Sequence, residues 1–166
     1  MDAQSLRSLQ APLKEQYKLH PEAALVTLHA EATLGENVTA KLETHSGVVV
    51  AGLHPATGGS GKEACSGDML LDALAACAAV TMNAVATAIE IPFRSASVKA
   101  SGELDFRGTL GVGKEAPVGF KSIHIEFVID TDAPDEKVES LIRLTERYCV
   151  VFQTLRVTPV LTASRK

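Results

Sequence analysis

The chain has 166 residues, a formal charge of −4 and a pI near 5.7, enough for one domain (residues 1–166) with a true core. Two Tyr, five Phe, no Trp and no Lys/Arg stripe argue against nucleic-acid binding. The opening MDAQSLRSLQ has no apolar signal core, and three cysteines (Cys65, Cys77, Cys149) make no secreted disulfide scaffold; a cytoplasmic protein is expected.

In chain order, residues 5–19 read as an amphipathic helix within an N-terminal extension, residues 1–20. Pro12 is expected in a first turn rather than mid-helix, Leu9, Leu13 and Tyr17 inward, and His20-Pro21 at the end. From Ala24 to Glu31 the period becomes two, the mark of a strand with one covered face. Gly35-Glu36-Asn37 reads as a turn, Val38–Thr44 as a second strand, His45-Ser46-Gly47 as a turn and Val48–Leu53 as a third strand, together an antiparallel meander. His54–Lys62, HPATGGSGK, is a glycine-rich loop; Glu63 follows Lys62 where a phosphate-binding loop needs Ser or Thr, so close passage past another backbone is the expected use of its glycines.

Cys65–Glu90 forms the central element. Ser66 can cap a helix whose first turn holds Asp68, and Pro92 stops it. Met69, Leu70, Leu74, Cys77, Ala78, Thr81, Met82 and Val85 recur at helical spacing. With little polar surface elsewhere, this reads as a buried helix. Asp68, Asp72 and the alanine content argue against a membrane span. Next come a strand over Phe93–Phe106 bulged near Gly102, a loop over Arg107–Gly119, and a strand over Phe120–Asp130 with its Ile side inward. Thr131 or Asp132 caps a helix with Pro134 in its first turn, running to Tyr148 with Val138, Leu141, Ile142 and Thr145 inward. Cys149 precedes a short apolar turn, Val150–Leu155, and Val157–Ala163 closes the chain as an edge strand. The order is α+β, not alternating βαβ. A long helix that needs cover on many sides implies a dimer with a shared core.

Taken alone, Cys77 among Ala75, Ala76, Ala78 and Ala79 reads as an inert small hydrophobe or as a thiol that a neighbour can approach. If Val150–Leu155 is helical, Cys149 sits at its N-terminal end, where the dipole and free N–H groups lower a thiol pKa; Glu146 and Arg147 are charged neighbours. Cys65 and Cys77, twelve residues apart near one helix, are too distant to bond, leaving Cys65 a bystander. There is no C-x-x-C or H-x-x-x-H, the five histidines are scattered, and G-x-S-x-G is missing, so neither a metal site nor a serine triad is expected.

The blocks SGDMLLDALAACAAVTM and TERYCVVFQTL resemble the OsmC/Ohr family, the osmotically inducible and organic-hydroperoxide-resistance proteins, from about His54 to the C-terminus. The resemblance implies an OsmC-like fold, with antiparallel sheets around a long buried helix in an intertwined homodimer. It also implies a cofactor-free thiol peroxidase: Cys77 would attack an organic hydroperoxide, Cys149 would resolve the sulfenic acid as a disulfide, and a dithiol would reduce it. The family's activating Glu, ten residues before the helix cysteine, is Gly67 here, no Arg occurs between Arg7 and Arg94, and Val150 replaces a Pro after the second cysteine. Asp68, His54 and Arg94 are the candidate substitutes for the missing activating pair. The alternative reading is a non-catalytic or redox-sensing protein of the same fold that binds a small apolar ligand near Cys77.

Overall fold

A computed structural model describes residues 1–45 and 47–165. It has the elements α1 (Ala3–Leu19), β1 (Ala32–Leu34), β2 (Ala40–Thr44), β3 (Gly47–Gly52), β4 (Ala64–Cys65), α2 (Ser66–Ala88), β5 (Ser95–Leu104), α3 (Phe106–Thr109), β6 (Phe120–Asp130), α4 (Asp135–Tyr148) and α5 (Val150–Arg156). The α+β class expected from the sequence is the one observed. The chain divides into two compact units. The first holds residues 1–12, 73–99 and 125–166, the second residues 13–72 and 100–124.

In the second unit, β1, β2 and β3 form the expected antiparallel meander, with Ala32 opposite Leu42 and Ala40 opposite Ala51. The short strand β4 was not foreseen and runs parallel to β3, Ala51 beside Ala64. Of the predicted turns, Asn37 and Val38 have φ of 54° and 61°, which delays β2 to Ala40. Of the turn at His45-Ser46-Gly47, Ser46 lies outside the described residues. In the HPATGGSGK loop, His54 caps a 3-10 turn over Pro55–Thr57, its Nδ1 accepting from the Ala56 N–H at 3.0 Å. A Cβ on Gly59 would fall 1.7 Å from the Leu53 carbonyl oxygen, so glycine is required by the close backbone passage expected there. The predicted loop after β5 contains α3, begun by Asp105, whose carboxylate accepts from the Arg107 N–H. Gly102 stays glycine because a Cβ would meet the Phe120 ring at 2.6 Å.

In the first unit, Met82, Ala86, Ile91 and Leu141 form the core, with Val85, Phe93, Val98, Phe127, Ile129 and Ala133 packed around them. Residues of α2, β5, β6 and α4 thus meet at one centre. The ladder of contacts Arg94–Asp130, Lys99–Glu126 and Glu103–Ser122 falls along one strand as it rises along the other, so β5 and β6 are antiparallel. The Ile side of β6 is half-buried and its polar side exposed, as its alternation predicts. On α4, Leu141 and Thr145 are buried and Val138 and Ile142 half-buried, the expected inward set. Its N-cap is Pro134, with no side-chain cap: Thr131 instead donates to the Pro92 carbonyl and accepts from the Ala133 N–H.

Helix α2 ends before Pro92 can act. Glu90 turns left-handed at φ 59°, its N–H reaching the Thr87 carbonyl and the Ile91 N–H the Ala86 carbonyl. These are the paired bonds of a Schellman ending, and Ile91 then drops into the core.

Four further expectations are corrected. Pro12 lies inside α1 rather than in its first turn; the carbonyl it leaves unbonded belongs to Ser8, an exposed residue that water can serve. Leu9, Leu13 and Tyr17 are exposed rather than inward, and Ala3 is the buried residue of that helix. Residues 25–31 and 157–163 form no strands, and Leu25, Val26, Leu28, Val157, Val160 and Leu161 are exposed, because within the described chain no strand pairs with them. Finally, α2 is covered along one stripe, Leu74, Ala78, Met82 and Ala86, while Leu70 and Val80 remain open. It is also the one helix among the described residues long and apolar enough to cross a membrane.

Candidate active site

The two candidate cysteines meet in the first unit. Cys77 lies midway along α2, half-buried, where small alanines on either side leave room for a neighbouring chain segment. Cys149 is the single residue between α4 and α5 and is fully buried.

The joint exists because the backbone there has other partners. At φ −72° and ψ 110° Cys149 leaves the helical region, yet its N–H still donates to the Thr145 carbonyl at 2.9 Å and its carbonyl accepts from the Gln153 N–H at 3.0 Å. The Gln153 side chain ties the two helices further, donating to the Glu146 carbonyl at 2.8 Å. Buried Thr145 satisfies its hydroxyl on the Leu141 carbonyl. Cys149 then becomes the N-cap of α5, its Sγ accepting from the Phe152 N–H at 3.5 Å.

Both thiols are free, and they lie near enough for each to shift the other's titration. Their titration is pulled in opposite directions. Burial pushes the Cys77 thiol up, but it is outweighed by donors to the anion: the backbone N–H of Val151, the Cys149 thiol, the N–H of Val150 and the Thr81 hydroxyl. Its pKa is therefore lowered. Burial raises the Cys149 thiol, and adjacent Cys77 adds to the rise against the pull of the Phe152 and Val151 N–H groups. The helix start that was expected to activate Cys149 thus activates Cys77. Of the charged neighbours of Cys149, Arg147 lies 5.3 Å over the Tyr148 ring. An unequal pair of this kind can supply one nucleophile and one proton-bearing partner.

The other candidate residues stand apart from this pair. Arg94 binds Asp130 through Nε at 2.8 Å and also pairs with Asp132, so its guanidinium is spent on two carboxylates. His54 and Asp68 belong to the second unit, where with Cys65, Glu103, Asp105, Phe106, Phe120 and Lys121 they line a cavity of about 500 Å³. There His54 stacks on Phe106 at 4.7 Å. Among the described residues no group of three His, Cys, Asp or Glu side chains could hold a metal ion.

Sequence reasoning missed Thr81, which it counted with the apolar face of the helix. The available signal was that Thr81 is the only hydroxyl between Asp72 and Asn83, one turn past Cys77.

Residues 59–164 match the family model described as OsmC-like protein. No curated protein sequence matches the chain. Solved structures do. An OsmC-like protein from Mycoplasma pneumoniae is 18% identical, with a TM-score of 0.68 over 80% of this chain and 89% of that one. An organic hydroperoxide resistance protein OsmC from Legionella pneumophila is 23% identical, with a TM-score of 0.62 over 80% and 91%. One from Elizabethkingia anophelis is 19% identical, with a TM-score of 0.61 over 81% and 91%. At such identities the likeness shows the fold.

Proposed function

Since the chain belongs to the OsmC-like protein family, we propose that it is a cytoplasmic thiol peroxidase that reduces organic hydroperoxides through Cys77 and Cys149. This reading is supported by two free thiols, Cys77 on α2 and buried Cys149 at the α4–α5 joint, that act on each other's titration, Cys77 lowered and Cys149 raised. The Cys77 thiolate attacks the distal oxygen of R–O–OH; the O–O bond breaks, sulfur is oxidised to the sulfenic acid, and the alkoxide leaves as ROH after taking a proton. Cys149 then attacks that sulfur, expelling water and closing the Cys77–Cys149 disulfide. An external dithiol returns two electrons and two protons. Alanines around Cys77 suit an apolar R group.

The same reading makes the working form a homodimer. Leu70 and Val80 on α2, together with Leu25, Leu28, Val160 and Leu161, are apolar groups that a second copy would cover. Light scattering at micromolar concentration should return twice the chain mass; a monomer mass sinks the dimer.

Stopped-flow mixing of reduced protein with tert-butyl and fatty-acid hydroperoxides, followed by thiol counting, tests the chemistry. Loss of two thiols per chain and a mapped Cys77–Cys149 link are expected. If both thiols survive while a working thiol peroxidase is oxidised within seconds, the peroxidase reading fails and a ligand-binding protein of this fold takes its place.

A further inference from the structure

The cavity of about 500 Å³ in the second unit plays no part in the peroxide chemistry, yet its wall is already built. In one part of that wall the His54 ring stacks on Phe106 at 4.7 Å and 16°. The backbone beneath is pinned. The His54 carbonyl accepts from the Thr57 and Gly59 N–H groups at 2.8 and 3.1 Å and from the Thr57 hydroxyl at 2.9 Å. In another part, the Phe120 ring presses on β5 where Gly102 has no side chain. Gly67 leaves the remaining space open. A Cβ there would stand 3.5 Å from Leu104 and 3.6 Å from both the Cys65 sulfur and Phe120, ordinary contact distances. The backbone of Gly67 is not left-handed, and alanine is the better helix former. The glycine therefore serves the cavity, not the helix.

The wall also has a sign. It carries three carboxylates, Asp68, Glu103 and Asp105, against one ammonium, Lys121. Asp105 is matched by Arg107, through Nε at 2.9 Å, which holds its carboxyl down to about 2. Among the described residues Glu103 receives only the Ser122 hydroxyl, at 3.4 Å, and Asp68 pairs with no side chain. Against Lys121, these two leave one negative charge over, beside two phenyl rings. Carboxylates and ring faces attract the same kind of group, a cation.

We propose that this cavity binds a small organic cation with an aromatic body, the body against Leu104, Phe106 and Phe120 and the charge beside Asp68 and Glu103. About 500 Å³ is the size of a small-molecule site. A neighbouring cavity of about 330 Å³ shares those three apolar side chains and adds Leu53 and Val118, room for a longer apolar tail. All of these residues belong to the second unit, so the site stands whether or not Cys77 reduces peroxides.

Cys65, half-buried in the wall, reports on the site from within. Reduced full-length protein is treated with iodoacetamide, with and without benzyltrimethylammonium, and each cysteine is followed by peptide mass spectrometry. The cation should slow labelling of Cys65 saturably, with half-protection below about 10 mM, and leave Cys77 unchanged. Benzenesulfonate keeps the ring and reverses the charge; tetramethylammonium keeps the charge without the ring. Both should protect little. Asp68→Asn and Glu103→Gln should each weaken protection about threefold, and Lys121→Met should strengthen it. Gly67→Leu fills the space and should remove protection. If leucine lowers the melting temperature, Gly67→Ala, whose methyl fits at contact distance, carries the measurement and should need more cation. Where Cys65 reacts too slowly to follow, titration calorimetry of the same cation reads the same binding.

Absence of both protection and calorimetric binding with benzyltrimethylammonium overturns the site. Equal protection by benzenesulfonate overturns the preference for a cation, and equal protection by tetramethylammonium overturns the role of the rings. Binding undiminished in folded Gly67→Leu and Gly67→Ala overturns the assignment to this cavity.

Discussion

Two thiol environments in this protein differ in what surrounds the sulfur. Around Cys65 the cavity of the second unit is rich in full charges, with Asp68, Glu103 and Lys121 on its wall and Asp105 clasped by Arg107. At the pair Cys77–Cys149 the groups that act on the sulfurs are dipoles: backbone N–H groups, a hydroxyl and a second thiol. Cys149 is fully buried, and an unpaired ion beside it would cost several kcal/mol in lost hydration, at an order-of-magnitude level. Oriented dipoles already present in the fold carry no such penalty. Charge has gathered at an open cavity, and thiolate stabilisation is achieved without it.

The sharpest way to break this contrast is to exchange the two sulfurs' fates. Cys77→Ser should reduce hydroperoxide consumption to background and prevent any peroxide-induced disulfide, whereas Cys65→Ser should leave both unchanged. Loss of turnover in Cys65→Ser, measured by peroxide assay, would move the chemistry to the other region. Cys149→Ser should still consume one equivalent of peroxide and then stall as a sulfenic acid that a 1,3-dione reagent traps.

A smaller effect should follow from the core beneath the pair. Leu141 is fully buried one turn before Thr145, which bonds both to its carbonyl and to the Cys149 N–H. Leu141→Ala should cost about 3 kcal/mol, lowering the melting temperature by about 10 °C. Glu90→Gly, in contrast, should stabilise by about 1 kcal/mol, because glycine adopts the left-handed ending of α2 freely. Calorimetry reads both signs.

The weakest expected effect is at acid pH. Arg107 holds the Asp105 carboxyl down to about 2, and Arg94 holds that of Asp130 below its usual range. Each folded carboxylate resists protonation more than its unfolded counterpart. Their contribution is therefore present above the ordinary carboxylate pKa near 4 and disappears as pH falls toward 2. Arg107→Met and Arg94→Met should each flatten part of that acid limb in denaturation curves. The titration midpoint of Cys77 should not move with either.

Much of the fold was legible where a pattern is satisfied by neighbours close in the chain. The alternation of Phe120–Asp130 matches β6 end to end, and the α2 pattern errs by one residue at its start and two at its end. The pattern over residues 24–31 and 157–163 was read equally clearly and failed, because alternation reports a face to be covered and not the strand that pairs with it. β4, two residues long, has too short a sequence to show a period. At the site, the two cysteines and a helix beginning at Cys149 could be read in advance. The direction of the donors could not, since whether Val150 and Val151 aim their N–H groups at one thiol or the other depends on the turn of backbone at φ −72°, ψ 110°.

One feature of the pair reaches beyond its reactivity: Cys77 and Cys149 are neighbours in space but roughly seventy residues apart in sequence. A covalent link between them would rope α2 to the α4–α5 joint and deprive the denatured chain of a large share of its freedom, worth about 4 kcal/mol in the loop-entropy description. Oxidant exposure would then be written into resistance to heat and protease, and the reductant that resets the pair would return the protein to its softer form.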